Sequence, residues 1–480
     1  MKAFSSPLAI ARVALAVTLA TPLVAPLAGA QTDPAQQARL EARFDELAEL
    51  GFTGFAAIAH EGEIIFARGA GLADPATNRP FTLDTQVDTG SITKSFTGMA
   101  IARLIDEGRL SADATLADFF PDVPGDKAGI TVLQMLTHTA GLPGAVGDDF
   151  SDEGWDSVRD KAFAAELLHA PGSAYRYSNV GYTFLAAIIE SVTGRSYEDY
   201  LVNEILVPAG IEHTGYLSVY DDAIAARNRQ GEAVIDASWG GHAPNWNLMG
   251  NGGLVSTPRD ILAWEAAYEG GTMVSPRARD LAFTPYIREH EGQMSFYGFG
   301  LSVEYDPVLG RIYWHNGGNP SFNSHWRVLA EQGYALFTTT NQRGLSADTA
   351  MEALVAALVD RDYQLWPPLE ISDDPVSLPD TVGGQVAAAF FTMIGSDDEA
   401  VWRDYVLNGM SDQMRALASM EGHLGMMDQL RAEFAGGQIV ATYEIENAIR
   451  LGLRYPDDDE VMPVVLEFTS DGLLNGLQVG

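Results

Sequence analysis

The chain has 480 residues, 46% of them hydrophobic, a formal net charge of -36 and no cysteine. Its length exceeds one ordinary domain and predicts two or three. The acidity argues against nucleic acid or anionic membrane surfaces as partners, and the missing cysteines exclude disulfide frameworks, thiolate metal sites and a lipidated cysteine.

Residues 1–30 read as a secretory signal peptide. Lys2 and Arg12 supply the positive charge, an Ala/Leu/Val-rich run follows, and Ala28-Gly29-Ala30 precedes Gln31 as a small-x-small cleavage site. Pro22 and Pro26 interrupt the apolar run, which argues against a retained anchor. The expected mature protein is periplasmic or secreted, cleaved after Ala30, with no membrane span left. Losing Lys2 and Arg12 makes it two charges more acidic.

Asp33 to Leu50 carries Leu40, Phe44 and Leu47 at helical spacing. Two strands, Gly54–Ala59 and Glu63–Ala70, flank the turn His60-Glu61-Gly62. A largely buried helix is expected from Ser91 to Glu107, with Phe96, Met99, Ile101 and Leu104 apolar. Residues 110–290 read as helix and loop. Strand character returns at Gly300–Glu304, Arg311–His315, Ser324–Val328 and Ala335–Thr340. Strands at both ends with helices between them predict one sheet completed by distant segments and carrying an inserted helical region. Residues 366–380, rich in Pro and Asp, read as a linker. A small α+β domain over 381–480 follows. In it Ser396-Asp397-Asp398-Glu399 reads as a capping box before Trp402 and Tyr405, and strands fall at Ile439–Ile445, Val464–Phe468 and Leu473–Val479. His423 is isolated and reads as structural.

Three short motifs carry chemistry. Lysine occurs only at Lys2, Lys94, Lys127 and Lys161, against arginine everywhere else. Arginine cannot give up its proton, whereas a desolvated lysine can become a base. Ser91 and Lys94, three apart, share one helix face, so the amine can take the hydroxyl proton. At the helix start, free backbone N–H groups surround the serine oxygen and suit a developing oxyanion. Taken alone, the pair is a weak signal. Tyr177-Ser178-Asn179 lies in a Gly/Pro-flanked loop, and no other tyrosine has an asparagine two residues later. Its phenol can relay a proton and its amide can hold a carbonyl or orient the lysine, although Tyr177 by itself suits a packed loop position better. His315-Asn316-Gly317-Gly318 ends a predicted strand, where the glycines let a substrate lie against the backbone.

The order and separation of these motifs resemble the serine β-lactamase and penicillin-recognising enzyme superfamily, specifically its class C-like branch of esterases, D-aminopeptidases and D-Ala-D-Ala carboxypeptidases. Leu136–Pro143 and Gly252–Asp260 look like framework segments of the same branch. The resemblance covers about residues 35–360. It implies an α+β, β-lactamase/transpeptidase-like fold over 31–365: an antiparallel sheet flanked by helices, with a mostly helical inserted subdomain. It also implies Ser91 as nucleophile, Lys94 as general base and Tyr177 as proton shuttle, the choice of acylation base between Lys94 and Tyr177 staying open. Asn179, His315 and Gly317 would contact substrate, and the N–H groups of Ser91 and Gly318 would form the oxyanion hole. No metal or cofactor is required for this acyl transfer.

One departure carries weight. His315 stands where the family often has lysine, and a mostly neutral histidine grips a carboxylate less well. The expected partner is therefore a small ester, amide or peptide substrate, with esterase or D-aminopeptidase-like activity ahead of β-lactamase or carboxypeptidase activity. A non-catalytic cell-wall or peptide-binding protein is the alternative from another class, but binding alone needs no serine paired with a base.

Overall fold

The computed structural model describes residues 33–290, 293–342, 345–367, 369–416, 418–445, 447–456 and 461–479. The expected signal segment, residues 1–30, lies outside the described residues. An antiparallel eight-stranded sheet organises the larger part of the chain. Its strand order is Glu63–Ala70, Gly54–His60, Tyr334–Thr340, Asn323–Leu329, Gly310–Gly318, Ser302–Asp306, Ser295–Tyr297 and Ile287–Arg288. The expected closure of one sheet by distant segments is present: Gly54 pairs with Thr340 and His60 with Tyr334. The two short strands at one end of the sheet, Ser295–Tyr297 and the edge strand Ile287–Arg288, were not legible from the sequence, being too short to show alternation.

One face of the sheet is covered by the helices Pro34–Glu49 and Ala347–Leu358, which close a core around Leu40, Phe44, Phe52, Met351 and Leu354. Asp33 caps the first of these, its carboxylate accepting from the Ala35 N–H, with Pro34 at the first helical position. The other face meets the helix Thr93–Asp106 and the inserted helical region. That helix is buried on nearly every side, from Thr93 through Ala102, as expected of a helix that is apolar all round. Trp264, fully buried, stacks its indole 4.5 Å from the Phe96 ring and 4.9 Å from Trp326, tying helix Pro258–Glu269 to both the buried helix and the sheet.

Beyond residue 380, four antiparallel strands, Gln438–Ile445, Ala448–Arg454, Val461–Phe468 and Leu474–Val479, pack with the helices Val382–Ile394, Glu399–Asn408 and Met420–Phe434 around Phe390, Met427, Ile449 and Leu466. The strand Ala448–Arg454 escaped the sequence reading because Arg450 and Arg454 break its apolar run. The cap before Trp402 is Asp398, whose carboxylate accepts from the Ala400 N–H, in place of the expected box opened by Ser396. His423 is buried, and its Nε2 lies 3.2 Å from the Arg415 carbonyl oxygen.

Gly98 allows the buried helix to approach the sheet region backbone to backbone. A Cβ there would overlap the carbonyl oxygen and carbon of Phe299. Alanine gains about 1 kcal/mol over glycine in helix propensity, but overpacking against rigid backbone costs about 1–3 kcal/mol. We expect Gly98→Ala to lower the thermal midpoint by about 2 °C or more, read by calorimetry. An unchanged or raised midpoint would show that the helix can move away from the sheet.

Candidate active site

The serine motif begins in a single 3-10 turn, Gly90–Ile92, and the α-helix starts at Thr93, two residues later than the sequence suggested. Thr93 explains the offset. Its Oγ1 donates to the Gly90 carbonyl at 2.7 Å and accepts from the Leu254 N–H at 3.1 Å, fixing the tight turn against a neighbouring segment. Ser91 and Lys94 still share one face. Lys94 Nζ donates to Ser91 Oγ at 3.1 Å and to the Asn251 carbonyl oxygen at 2.6 Å.

Lys94 is fully buried. Its Nζ sits over the Tyr177 ring, 4.8 Å from the centroid, with the Tyr182 ring at 5.8 Å. Desolvation holds its pKa well below that of an exposed lysine, and the charge of Asp149 opposes the shift only in part. Burial favours the neutral form of this amine, and at 3.1 Å from a hydroxyl that form has the lone pair and the reach of a general base. Burial also drives the Tyr177 pKa upward, against a hydrogen bond with Ser91, so the phenol stays protonated and offers no ready phenolate base.

The Tyr177 loop is held by the segment around His138. Ser178 caps the helix Asn179–Thr193: its Oγ accepts from the Gly181 N–H at 3.2 Å and donates to the Pro143 carbonyl at 2.7 Å. The Ser178 N–H donates to His138 Nδ1 at 3.1 Å, and the Arg176 N–H to the His138 carbonyl at 2.8 Å. The His138 ring lies 4.2 Å from Tyr177 and 4.5 Å from Tyr297. His138 and Asn251 are site residues that sequence reading missed. Both sit within or beside the two framework segments, where a backbone carbonyl or a packed ring leaves no motif of its own.

A cavity of about 270 Å³ opens at Ser91, lined by Asp88, Asp149, Phe150, Asn179, Gly318 and Asn319 among others. The Asn179 N–H donates to the Gly144 carbonyl, while its Oδ1 is buried without a partner among the described residues. His315 faces inward. It is 5% exposed, its Nε2 lies 3.0 Å from the Tyr297 hydroxyl and its Nδ1 2.5 Å from the Asn316 carbonyl oxygen. His315 and Gly317 are not among the cavity's lining residues; Gly318 and Asn319 are. Gly317 instead packs on the backbone of Thr89 and Ser91, closely enough that a Cβ would overlap both.

A family model, Beta-lactamase, matches residues 39–361. The chain belongs to the β-lactamase family. It is a serine hydrolase of that family, with the α+β fold the sequence resemblance implied. Penicillin-binding protein 4* of Bacillus subtilis (strain 168) is 28% identical over 314 residues, 59% of this chain and 67% of that protein. Esterase EstB of Burkholderia gladioli is 31% identical over 217 residues, 41% of this chain and 55% of the esterase, so the match spans about half the esterase's length. The D-amino acid amidase from Ochrobactrum anthropi SV3 shares the fold with a TM-score of 0.58 at 24% identity, over 68% of this chain and 98% of the amidase. The octameric penicillin-binding protein homologue from Pyrococcus abyssi does so with a TM-score of 0.60 at 20% identity, over 91% of this chain and 94% of that one. Among the described residues no helix is long and apolar enough to cross a membrane.

Burial pushes the His315 pKa down to about 3, helped by the Lys94 charge. The unfolded chain then binds a proton that the folded one rejects between roughly pH 6.5 and pH 3. This contribution to stability is complete above pH 6.5 and is lost as pH falls through that window. Histidine Cε1–H NMR, with the signal assigned by its disappearance in His315→Gln, should show a neutral ring down to about pH 4. Protonation of His315 near pH 6.5 would contradict the buried, hydrogen-bonded placement.

Proposed function

We propose that the protein hydrolyses small esters or amides through an acyl-enzyme on Ser91. The observation that carries this reading is the desolvated Lys94 amine 3.1 Å from Ser91 Oγ. In this reading Lys94 takes the hydroxyl proton as Oγ attacks the substrate carbonyl. The Ser91 and Gly318 N–H groups receive the oxyanion, the Tyr177 phenol gives its proton to the leaving group and recovers one from the water that deacylates Ser91, and the Lys94 ammonium returns its proton to Ser91 Oγ as the acyl group departs. The raised Tyr177 pKa favours Lys94 over Tyr177 as the base of acylation. The Asn251 carbonyl orients the amine without adding a carboxylate charge that would hold its proton.

The substrate class follows from charge. No arginine, lysine or histidine is among the described residues lining the cavity, whereas Asp88 and Asp149 both line it, and the Asp88 carboxylate is engaged by the Gly90 N–H and Asn319. An anionic anchor such as the carboxylate of a β-lactam or a peptide C-terminus finds no cation there. An acyl group that is neutral, or that carries a free ammonium as an aminoacyl amide does, fits better. We therefore place esterase and D-aminopeptidase-like activity ahead of β-lactamase and carboxypeptidase activity, in a protein exported through the signal segment read at residues 1–30.

With p-nitrophenyl acetate, Ser91→Ala should abolish turnover. Lys94→Arg, which places a permanently protonated group there and offers no usable base, should slow acylation by about two orders of magnitude. Near-normal acylation by Lys94→Arg would pass the base role to Tyr177, and Ser91-independent turnover would remove the reading altogether. With alanine p-nitroanilide of either hand, kcat/KM should exceed that of the N-acetylated compound by about tenfold or more, and Asp149→Asn should erase most of that preference. Equal rates on the free and acetylated amines would remove the ammonium preference while leaving the acyl-enzyme in place.

A further inference from the structure

The two N–H groups proposed for the oxyanion hole come from segments far apart in the chain, and their contact is almost bare backbone. A Cβ on Gly90 would overlap the Gly318 nitrogen, and one on Gly317 would overlap the Ser91 nitrogen. Glycine at both positions is what lets the serine turn and the strand end meet. Two surfaces without side chains can also slide, because nothing interlocks across them. Something must fix their alignment to a fraction of an ångström, since donors act on an oxyanion only within hydrogen-bond distance.

Asp88 spans this contact. It is 2% exposed and sits on the two-residue strand Val87–Asp88, paired with Val255–Ser256. Its Oδ1 accepts from the Gly90 N–H at 2.6 Å, one residue before Ser91. Its Oδ2 accepts from Asn319 Nδ2 at 2.8 Å, one residue after Gly318. Its carbonyl oxygen accepts from Ser324 Oγ at 3.0 Å, on the strand that follows. Asn319 cannot turn its amide over, because its Oδ1 accepts from the Ser321 and Phe322 N–H groups at 2.8 and 2.9 Å. Its Nδ2 also donates to Ser238 Oγ at 2.9 Å, and that hydroxyl in turn hydrogen-bonds the Asp88 carboxylate.

We infer that Asp88 is a positioning residue: one carboxylate bridges the Ser91 turn and the Gly318 turn through Asn319 and holds the two halves of the oxyanion hole in register. This rests on the proposed acyl-enzyme reading, and it adds a requirement that neither the nucleophile nor the base supplies. The donor pattern makes the inference specific. Asp88→Asn turns an acceptor into an amide, so whichever way the amide points it sets a donor against Gly90 N–H or against Asn319 Nδ2. Asn319→Asp sets two carboxylates against each other in a buried place. Combining the two changes restores one donor facing one acceptor. The amide introduced at position 88 donates to the carboxylate introduced at position 319, whose second oxygen still receives the Ser321 and Phe322 N–H groups. Ser238 keeps a partner by donating to that carboxylate.

The test measures single-turnover acylation by p-nitrophenyl acetate, with thermal midpoints and the affinity of an acyl-boronic acid, a mimic of the tetrahedral state, as companions. Each single variant should acylate about tenfold to a hundredfold more slowly, within the loss known for one oxyanion donor. Boronate affinity should fall in parallel while KM for the ester changes less than about threefold. The double variant Asp88→Asn with Asn319→Asp should recover to within about tenfold of the wild-type rate. Asn319→Ala, which removes the bridge without adding a mismatched donor, covers the case in which a single variant does not fold, and should also slow acylation by about tenfold. Folded single variants that acylate at the wild-type rate would overturn the inference, as would a folded double variant no faster than the slower single. In either case Ser91-dependent turnover of the wild-type protein would show that the acyl-enzyme reading survives. Loss of the inference together with Ser91-independent turnover would show that both had failed.

Discussion

The structure turns on one amine taken out of water. Lys94 is fully buried, its Nζ shared between Ser91 Oγ at 3.1 Å and the Asn251 carbonyl at 2.6 Å. Burying an ammonium without a carboxylate partner is costly, and a protein avoids most of that cost by letting the group lose its proton. The Asn251 carbonyl accepts an N–H of the amine and orients it without restoring its charge, leaving the lone pair of the neutral form for the Ser91 hydroxyl proton. The charge of Asp149 raises the Lys94 pKa only in part, against the larger effect of desolvation. The same desolvation that would make Lys94 a poor structural residue would make it an effective base.

That arrangement depends on packing remote from the motif. The helix Thr93–Asp106 is buried over most of its length, and Gly98 lets it lie directly against the Phe299 backbone. Trp264 wedges between Phe96 and Trp326 and fixes the helix relative to the sheet. The Tyr177 loop is tied down through Ser178 and His138, and the strand ending at Gly318 meets the Ser91 turn backbone to backbone. Three distant stretches of chain converge because the sheet joins its first strands to its last, with Gly54 opposite Thr340.

Much of this was legible in the sequence, for identifiable reasons. Alternation and helical spacing mark the long elements, and only the Ser-x-x-Lys, Tyr-x-Asn and His-x-Gly order marks the site. Lysine scarcity was a weaker guide than it looked, since Lys127 is also buried and simply pairs with Asp126 at 2.8 Å. What stayed hidden was whatever acts through the backbone or through a single polar contact: the Asn251 carbonyl, the His138 ring behind Tyr177, the Asp88 carboxylate. His315 shows how a motif names a residue without giving its direction: its ring lies 6.3 Å from Tyr177, held by Tyr297 and the Asn316 carbonyl. Side-chain direction at a strand end is set by tertiary neighbours that a motif does not record.

The scarcity of lysine makes the central claim directly measurable. Protein labelled with carbon-13 at lysine Cε gives at most four lysine signals, from Lys2, Lys94, Lys127 and Lys161. Replacing Lys2, Lys127 and Lys161 by arginine in turn assigns the remaining signal to Lys94. The account predicts that the Lys94 amine titrates well below the ordinary lysine value. A Lys94 amine that stays charged until about pH 10, like an exposed lysine, would contradict it.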